Sequence, residues 1–432
     1  MDTVLYTGSA FKTTETRERA FIDSCDARIF MLSKTMDRWE ESVIPNFKPA
    51  DRLKRIKPSG IRCFFALARE MPRCINLSIG EPDFCPPQEA LEAGWRAARQ
   101  GKTHYEPTNG VAELREALVE KVRRDYGVDY DVNCEVLITV GGTEAVSIAL
   151  TGLLNPGDQV MIPNPGFVVY EPCVLLAGGT TVDMSLSEEN SFRPSIRDVT
   201  ALVTRRSRVM ITNFPNNPTG AVLSRDEAAA LAKIAVERDM IVISDEVYEK
   251  MVYDGSQHYC MAAFPRMRER TLIVNSFSKT YAMTGLRVGY VLGPKELISS
   301  LWLVHQYTVA CVDSLAQYIA LAALTGPQDF VSNMVGEFDR RRQLLYKGLN
   351  EIEGFSCLRP KGAFYAFPNI KAFGMSSEKF AEFLLKEAQV ITVPGSAFGS
   401  HGEGYIRISY AAAYQQLEEA LNRIERAVKR LR

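Results

Sequence analysis

One lysine stands among small hydroxyls in the run Asn275-Ser276-Phe277-Ser278-Lys279-Thr280-Tyr281-Ala282-Met283-Thr284-Gly285-Leu286-Arg287. An amine held in such surroundings just after an apolar stretch is suited to attack a carbonyl and hold it covalently. Ser276, Ser278 and Arg287 add donors for an anion, and the guanidinium offers a planar fork that matches phosphate. Gly141-Gly142-Thr143-Glu144 comes after another apolar run, at a junction where a helix dipole would favour an anion. Asp245 closes the run Met240-Ile241-Val242-Ile243-Ser244, where a carboxylate could pair with a buried cation. Arg407, within Tyr405-Ile406-Arg407-Ile408-Ser409, could grip a carboxylate with both prongs. Each also has an ordinary reading: a surface lysine, a turn or helix cap, a solvated strand residue.

The elements that must position these groups form an alternating pattern. Thr271-Leu272-Ile273-Val274 reads as a buried strand, which puts Lys279 in the loop beyond its carboxyl end, where open α/β sheets hold ligands. From about residue 135, strand-like runs alternate with helix-like ones: Glu135–Val140, Gln159–Ile162, Arg208–Thr212 and Met240–Ser244, each stopping at a polar or glycine-rich turn. Ser224-Arg225-Asp226-Glu227 has capping-box spacing at a helix start. The expected fold class is α/β, a mostly parallel sheet with helices on its faces. Residues 85–325 are expected to form this large domain, and 46–84 with 326–432 a smaller α+β domain built from both chain ends. Residues 1–45 carry no legible chemistry; Met36 could be a second start, or the segment a helical extension packing on a partner subunit.

A chain of 432 residues with 46% hydrophobic content has room for two domains with substantial cores. Lys plus Arg number 51 against 52 for Asp plus Glu, a balance that gives no electrostatic footprint for nucleic acid or an acidic membrane. No apolar run approaches the ~18 residues a spanning helix needs, and the N-terminus does not read as a signal peptide, so a cytoplasmic location is expected. The nine cysteines are scattered without a CxxC pair and there are only four histidines, which argues against a disulfide framework and a metal site.

The lysine run resembles the cofactor-lysine signature of the pyridoxal-phosphate (PLP) aminotransferases of fold type I, in wording closest to archaeal-type aromatic and aspartate aminotransferases. Further segments match that family in the same order, over about 55 to 412. The resemblance implies that Lys279 anchors PLP and moves the substrate proton, and that Asp245, in "SDEVY", pairs with the ring nitrogen. It implies that Asn217, in "NNPTG", and Tyr248 hold the phenolic oxygen, and that Phe167, in "NPGFVVY", lies on the ring face. Gly142, Thr143, Glu144, Ser276, Ser278 and Arg287 are then the phosphate ligands, joined by Tyr105 from a neighbouring subunit, which implies a homodimer with shared sites. Gly80, in "SIGEPDF", Asn217 and Arg407 are the implied substrate contacts.

The activity implied by the resemblance is ping-pong transfer of an amino group between an amino acid and a 2-oxo acid, with glutamate and 2-oxoglutarate as one couple. Some family members place a lysine directly after the glycine pair to meet a distal carboxylate, and this chain has Thr143 there. The expected order is therefore aromatic or broad specificity first, aspartate second and alanine third. Lyases share the fold and these residues. A non-enzymatic PLP-binding regulator would need a DNA-binding domain, and 45 leading residues are too few and not basic enough for one.

Overall fold

The computed structural model describes residues 48–56, 71 and 73–431. The expectations for residues 1–45, Met36 included, lie outside the described residues. The strands in chain order are β1 (Ile75–Asn76), β2 (Val136–Thr139), β3 (Gln159–Asn164), β4 (Thr180–Ser187), β5 (Arg193–Pro194), β6 (Ser207–Thr212) and β7 (Ile241–Asp245). They continue as β8 (Thr271–Ser276), β9 (Gly289–Leu292), β10 (Tyr365–Ala366), β11 (Val390–Ile391), β12 (Val393–Pro394) and β13 (Ile406–Ser409).

An eight-stranded sheet has the order β2-β9-β8-β7-β6-β3-β4-β5. The run from β8 to β4 is parallel throughout, β9 is antiparallel to both of its neighbours, and β5 is antiparallel to β4. Side-chain alternation along the central strands separates two cores. Val209, Ile211, Ile241, Ile243, Leu272 and Val274 pack with the helix Gly141–Leu153 on one face. Met210 and Val242 pack with the helix Arg225–Glu237 on the other. That second helix starts with the capping box expected from its sequence: Ser224 Oγ accepts from the Glu227 N–H, and the Glu227 carboxylate accepts from the Ser224 N–H.

A further core gathers Ile75 and Leu77 from one end of the chain with Met334, Phe338, Phe364, Phe380, Leu417 and Ile424 from the other. It holds a three-stranded antiparallel sheet, β10-β13-β12, and the parallel pair β1-β11. The helix Tyr414–Val428 turns Leu417, Ala420, Leu421, Ile424, Ala427 and Val428 inward, the spacing of one helical face. Tyr248 and Met251, just beyond β7, pack into this core as well, so the end of the large sheet and the smaller sheet meet where Asp245 lies.

The boundary before Lys279 differs from the one the sequence predicts. Strand β7 ends on Asp245 as expected, whereas β8 runs on through Asn275 and Ser276. Lys279 is therefore not in a loop: it sits in a single helical turn, Phe277–Thr280, that starts directly from the strand. The hydroxyl of Ser276 makes this possible by capping the Ser278 N–H at 3.1 Å, which gives a polar strand end a helical continuation.

Candidate active site

The carboxyl ends of the parallel strands and β13, the central strand of the smaller sheet, bring most of the expected site residues together. Lys279 Nζ donates to the Gly80 carbonyl at 2.6 Å. Its ammonium is held down to about 8, first by burial and then by the nearby positive charges of Arg407 and Arg287. A larger fraction of this amine is neutral near pH 7 to 8 than in an ordinary lysine.

Asp245 shares strand parity with Ile241 and Ile243, and so faces the helix Gly141–Leu153. Its carboxylate accepts from the Tyr170 hydroxyl at 2.5 Å and from the Val247 N–H at 3.3 Å. Burial pushes the carboxyl up to about 6 against the opposing pull of these two donors. The next residue, Glu246, points the other way. It accepts from Ser244 Oγ and pairs with His258, in an enclosed cluster beside a second buried pair, Lys121 and Glu249.

The anion cradle has two sides. Gly141 opens the helix Gly141–Leu153 at φ 74°, and a Cβ there would meet Arg287 Nη2 at 2.4 Å, so only glycine lets the guanidinium lie against the backbone. The first helical turn leaves N–H groups, those of Gly142 and Thr143 among them, without helical acceptors. Across from it, Ser276 Oγ and Ser278 Oγ are 2.7 Å apart, and Arg287 is oriented by the Thr284 carbonyl at 2.8 Å. Glu144 is the exception among the expected ligands. Its carboxylate turns away to His305 Nδ1, at 2.7 Å, and to the Val140 N–H, so only its backbone could serve the cradle.

Arg407 is fully buried. Nη1 donates to Asn217 Oδ1 at 2.9 Å and Nη2 to the Ser78 carbonyl at 2.6 Å, while Nε has no partner among the described residues. The oxygen of Asn217 is thus committed, which leaves its Nδ2 as the donor. Both faces of β13 are covered, so the alternative of a solvated strand arginine does not hold. Phe167 is half-buried and edge-on to Tyr170, with ring centroids 5.7 Å apart. Tyr105 is 90% exposed.

Two residues that carry part of the geometry, Tyr170 at the end of "NPGFVVY" and Tyr365 at the end of Lys361-Gly362-Ala363-Phe364-Tyr365, lie within segments that match the family but receive no role from the sequence. Tyr170 holds Asp245 from 75 positions away. Tyr365, buried next to Phe364, has its hydroxyl 2.7 Å from that of Tyr248. A tyrosine in an apolar run reads as core, and only the fold shows which polar group its hydroxyl meets.

The family "Aminotransferase class I and II" matches residues 72–424. The chain belongs to the class I and II aminotransferases. Among relatives of this aminotransferase, "Aromatic-amino-acid aminotransferase 2" of Thermococcus litoralis is 45% identical over 382 residues, 88% of this chain and 98% of that protein. An "Aspartate aminotransferase" of Pyrococcus abyssi is 46% identical over 382 residues, with the same coverage, 88% and 98%. The crystal structure of an aromatic aminotransferase from Pyrococcus horikoshii shares 45% identity at TM-score 0.81, covering 86% of this chain and 99% of that one. The aspartate aminotransferase of Thermus thermophilus with maleate gives 38% and 0.85, over 88% and 100%.

Members of this family use PLP as cofactor. The aminotransferase has the donor set such a group requires. Lys279 is a half-buried amine of depressed basicity, and Asp245 an enclosed carboxylate that a cation would satisfy. The space beside Gly141 that a Cβ would fill is given to Arg287, at the mouth of a helix N-terminus. The residues fit the cofactor.

Proposed function

We propose that this aminotransferase acts on aromatic or a broad range of L-amino acids, with glutamate and 2-oxoglutarate as one couple, in a ping-pong sequence. One observation carries the reading. Lys279 Nζ and Arg407 Nη2 end on the carbonyls of Gly80 and Ser78, two residues apart on one segment. Two residues of chain span about 7 Å at most. The amine and the guanidinium thus sit on one short segment, an arrangement suited to a ligand that presents a carboxylate to Arg407 and an amino group to Lys279.

PLP, when bound, supplies the electron sink that makes the α-proton removable. Asp245 and Tyr170 would hold its ring nitrogen as a cation, Asn217 Nδ2 and Tyr248 its phenolic oxygen, and the cradle of Gly142, Thr143, Ser276, Ser278 and Arg287 its phosphate. Phe167 would lie on the ring. Lys279 Nζ takes the proton from the substrate α-carbon and delivers it again, a general base and acid by turns. Arg407 would fix the carboxylate of the amino acid and of the oxo acid in succession, so that the two share one site and cannot bind together. Thr143, a neutral residue after the glycine pair, supports an uncharged or varied side chain over a distal carboxylate.

The working unit of this reading is a homodimer in the cytoplasm. The exposed Tyr105 would reach a partner subunit's phosphate, and Trp302, Leu303 and Tyr307 present apolar surface on the helix Lys295–Thr308. No helix among the described residues is long and apolar enough to cross a membrane. The test is kcat/KM with 2-oxoglutarate for tyrosine, phenylalanine, aspartate and alanine. The aromatic pair is expected to lead or to equal the rest; aspartate ahead by about 1.4 kcal/mol, or tenfold, would reassign the pocket.

A further inference from the structure

Tyr365 touches three of the other site residues at once. Its hydroxyl lies 2.7 Å from the Tyr248 hydroxyl, in a pair where either could donate. The guanidinium carbon of Arg407 stands 4.4 Å from the centroid of its ring. The backbone of Gly80 packs so closely on its hydroxyl that a Cβ there would come within 2.3 Å of the Tyr365 oxygen. The ring is locked, tilted against Phe364 at 4.8 Å and edge-on to Tyr248 at 5.7 Å, and is almost wholly buried.

We propose that Tyr365 is a dual positioning residue of the aminotransferase: its hydroxyl orients and polarises Tyr248, and its ring face holds Arg407 in the plane that receives a carboxylate. This rests on the proposed contacts of Tyr248 with the cofactor and of Arg407 with the substrate. The hydroxyl function comes from proton accounting. If Tyr248 spends its only proton on the phenolic oxygen of the cofactor, Tyr365 is the one member of the pair that can donate to the other. A donor at that oxygen makes Tyr248 the stronger hydrogen-bond acid. The ring function comes from the arginine's other contacts. Asn217 and Ser78 fix Nη1 and Nη2 at the edge of the guanidinium, and neither restrains its tilt. An aromatic face opposite a buried guanidinium does, and its electron-rich surface partly replaces lost water. Phe398, with its centroid 4.9 Å from the guanidinium carbon, is a further aromatic neighbour. Arg407 and Asp245 are charged groups that act on the two hydroxyls, and Lys279 Nζ stands on the carbonyl of Gly80, whose backbone packs on the Tyr365 hydroxyl.

The two functions separate in two variants of the PLP-loaded enzyme. Tyr365→Phe keeps the ring and removes the hydroxyl. The pH midpoint of its visible absorption band is expected to rise by about half a unit to one unit, because an anionic phenolic oxygen loses part of its stabilisation. Its dissociation constant for 3-phenylpropanoate, a carboxylate that cannot transfer an amine, should stay within about twofold of the wild type. Tyr365→Leu removes the ring face as well. It is expected to weaken 3-phenylpropanoate by about 5- to 30-fold.

Equilibrium binding of PLP to each apo-protein serves as a readout independent of turnover: Tyr365→Phe should weaken it modestly, through Tyr248. An unchanged midpoint in Tyr365→Phe would overturn the hydroxyl function, and unchanged 3-phenylpropanoate binding in a folded Tyr365→Leu the ring function. If Tyr365→Leu does not fold, a loss of 3-phenylpropanoate binding in Tyr365→Phe as large as the one expected for the ring would overturn the separation. A wild type with no visible band after PLP addition would instead count against the assignment of the site itself.

Discussion

Tyr170 donates its hydroxyl proton to Asp245 Oδ2 at 2.5 Å, and both side chains are buried. A carboxylate in that position is costly to ionise, which is why its carboxyl sits near 6 in spite of the donor. A cationic ring nitrogen would offset the cost, so the protein is poised for a cation it does not itself provide. PLP affinity of the apo-protein should therefore fall as the pH drops through about 6, where Asp245 takes up a proton. Tyr170→Phe removes a charge-assisted bond and should move that fall upward by about one unit or more. Asp245→Asn, which cannot ionise at all, should lower kcat by about two orders of magnitude or more. Titrating wild-type and Tyr170→Phe apo-protein with PLP at several pH values checks the first two expectations, and steady-state rates the third.

Lys279 illustrates function held against stability. Its basicity is depressed in the folded state, from the ordinary value to about 8, so below pH 8 the fold must carry a charged amine that it disfavours. The unfolded chain keeps its proton up to about 10.4. The folded state therefore gains stability from this group as the pH rises between those values, and is at its worst below them. Lys279→Met should stabilise the apo-protein at pH 7 by on the order of 2–3 kcal/mol, with the difference shrinking above pH 8. Denaturant unfolding of both apo-proteins across that range is the measurement, and Lys279→Met should have no turnover.

Gly141→Ala tests the cradle. The new methyl would enter the space of Arg287 Nη2, at a backbone φ of 74° that side chains rarely adopt. Loss of one charge-assisted contact should weaken PLP binding by about tenfold to a hundredfold, while circular dichroism stays that of the wild type.

Arg407→Lys keeps the charge and loses the fork. Because Asn217 and Ser78 are aligned for two guanidinium nitrogens, an ammonium can satisfy only part of that arrangement. The Michaelis constant should rise by about tenfold or more for every amino acid tested. A rise for one substrate alone would mean that Arg407 reads a side chain.

Much of this site is legible in the sequence because the chemistry is carried by residues at strand ends. The apolar run before Lys279 and the one before Asp245 fix both the sheet and which end of it is polar, and strand parity then separates Asp245 from Glu246. The capping box at Ser224 is legible for the same reason, as all its partners lie within one turn. What the sequence does not show is long-range pairing. Tyr170 and Asp245 are 75 residues apart, Tyr248 and Tyr365 117, and no local pattern distinguishes such tyrosines from filler. Glu144 reads as part of the cradle because the helix start around it is right. Its carboxylate turns elsewhere because His305, arriving on a later helix, offers a buried partner. The two-residue strands β1 and β11 are too short to carry an alternation.

The most direct test of the central claim is a half-reaction. The purified protein is loaded with PLP, freed of excess, and mixed with glutamate or tyrosine in the absence of any oxo acid, while the visible band and the released products are followed. An aminotransferase with this site loses its band and releases one oxo acid per site, then stops, and a 2-oxo acid restores the band; Lys279→Ala does neither. Continuous release of an oxo acid and ammonia from one substrate, with the band unchanged, would contradict amino-group transfer and point to elimination chemistry in the same fold.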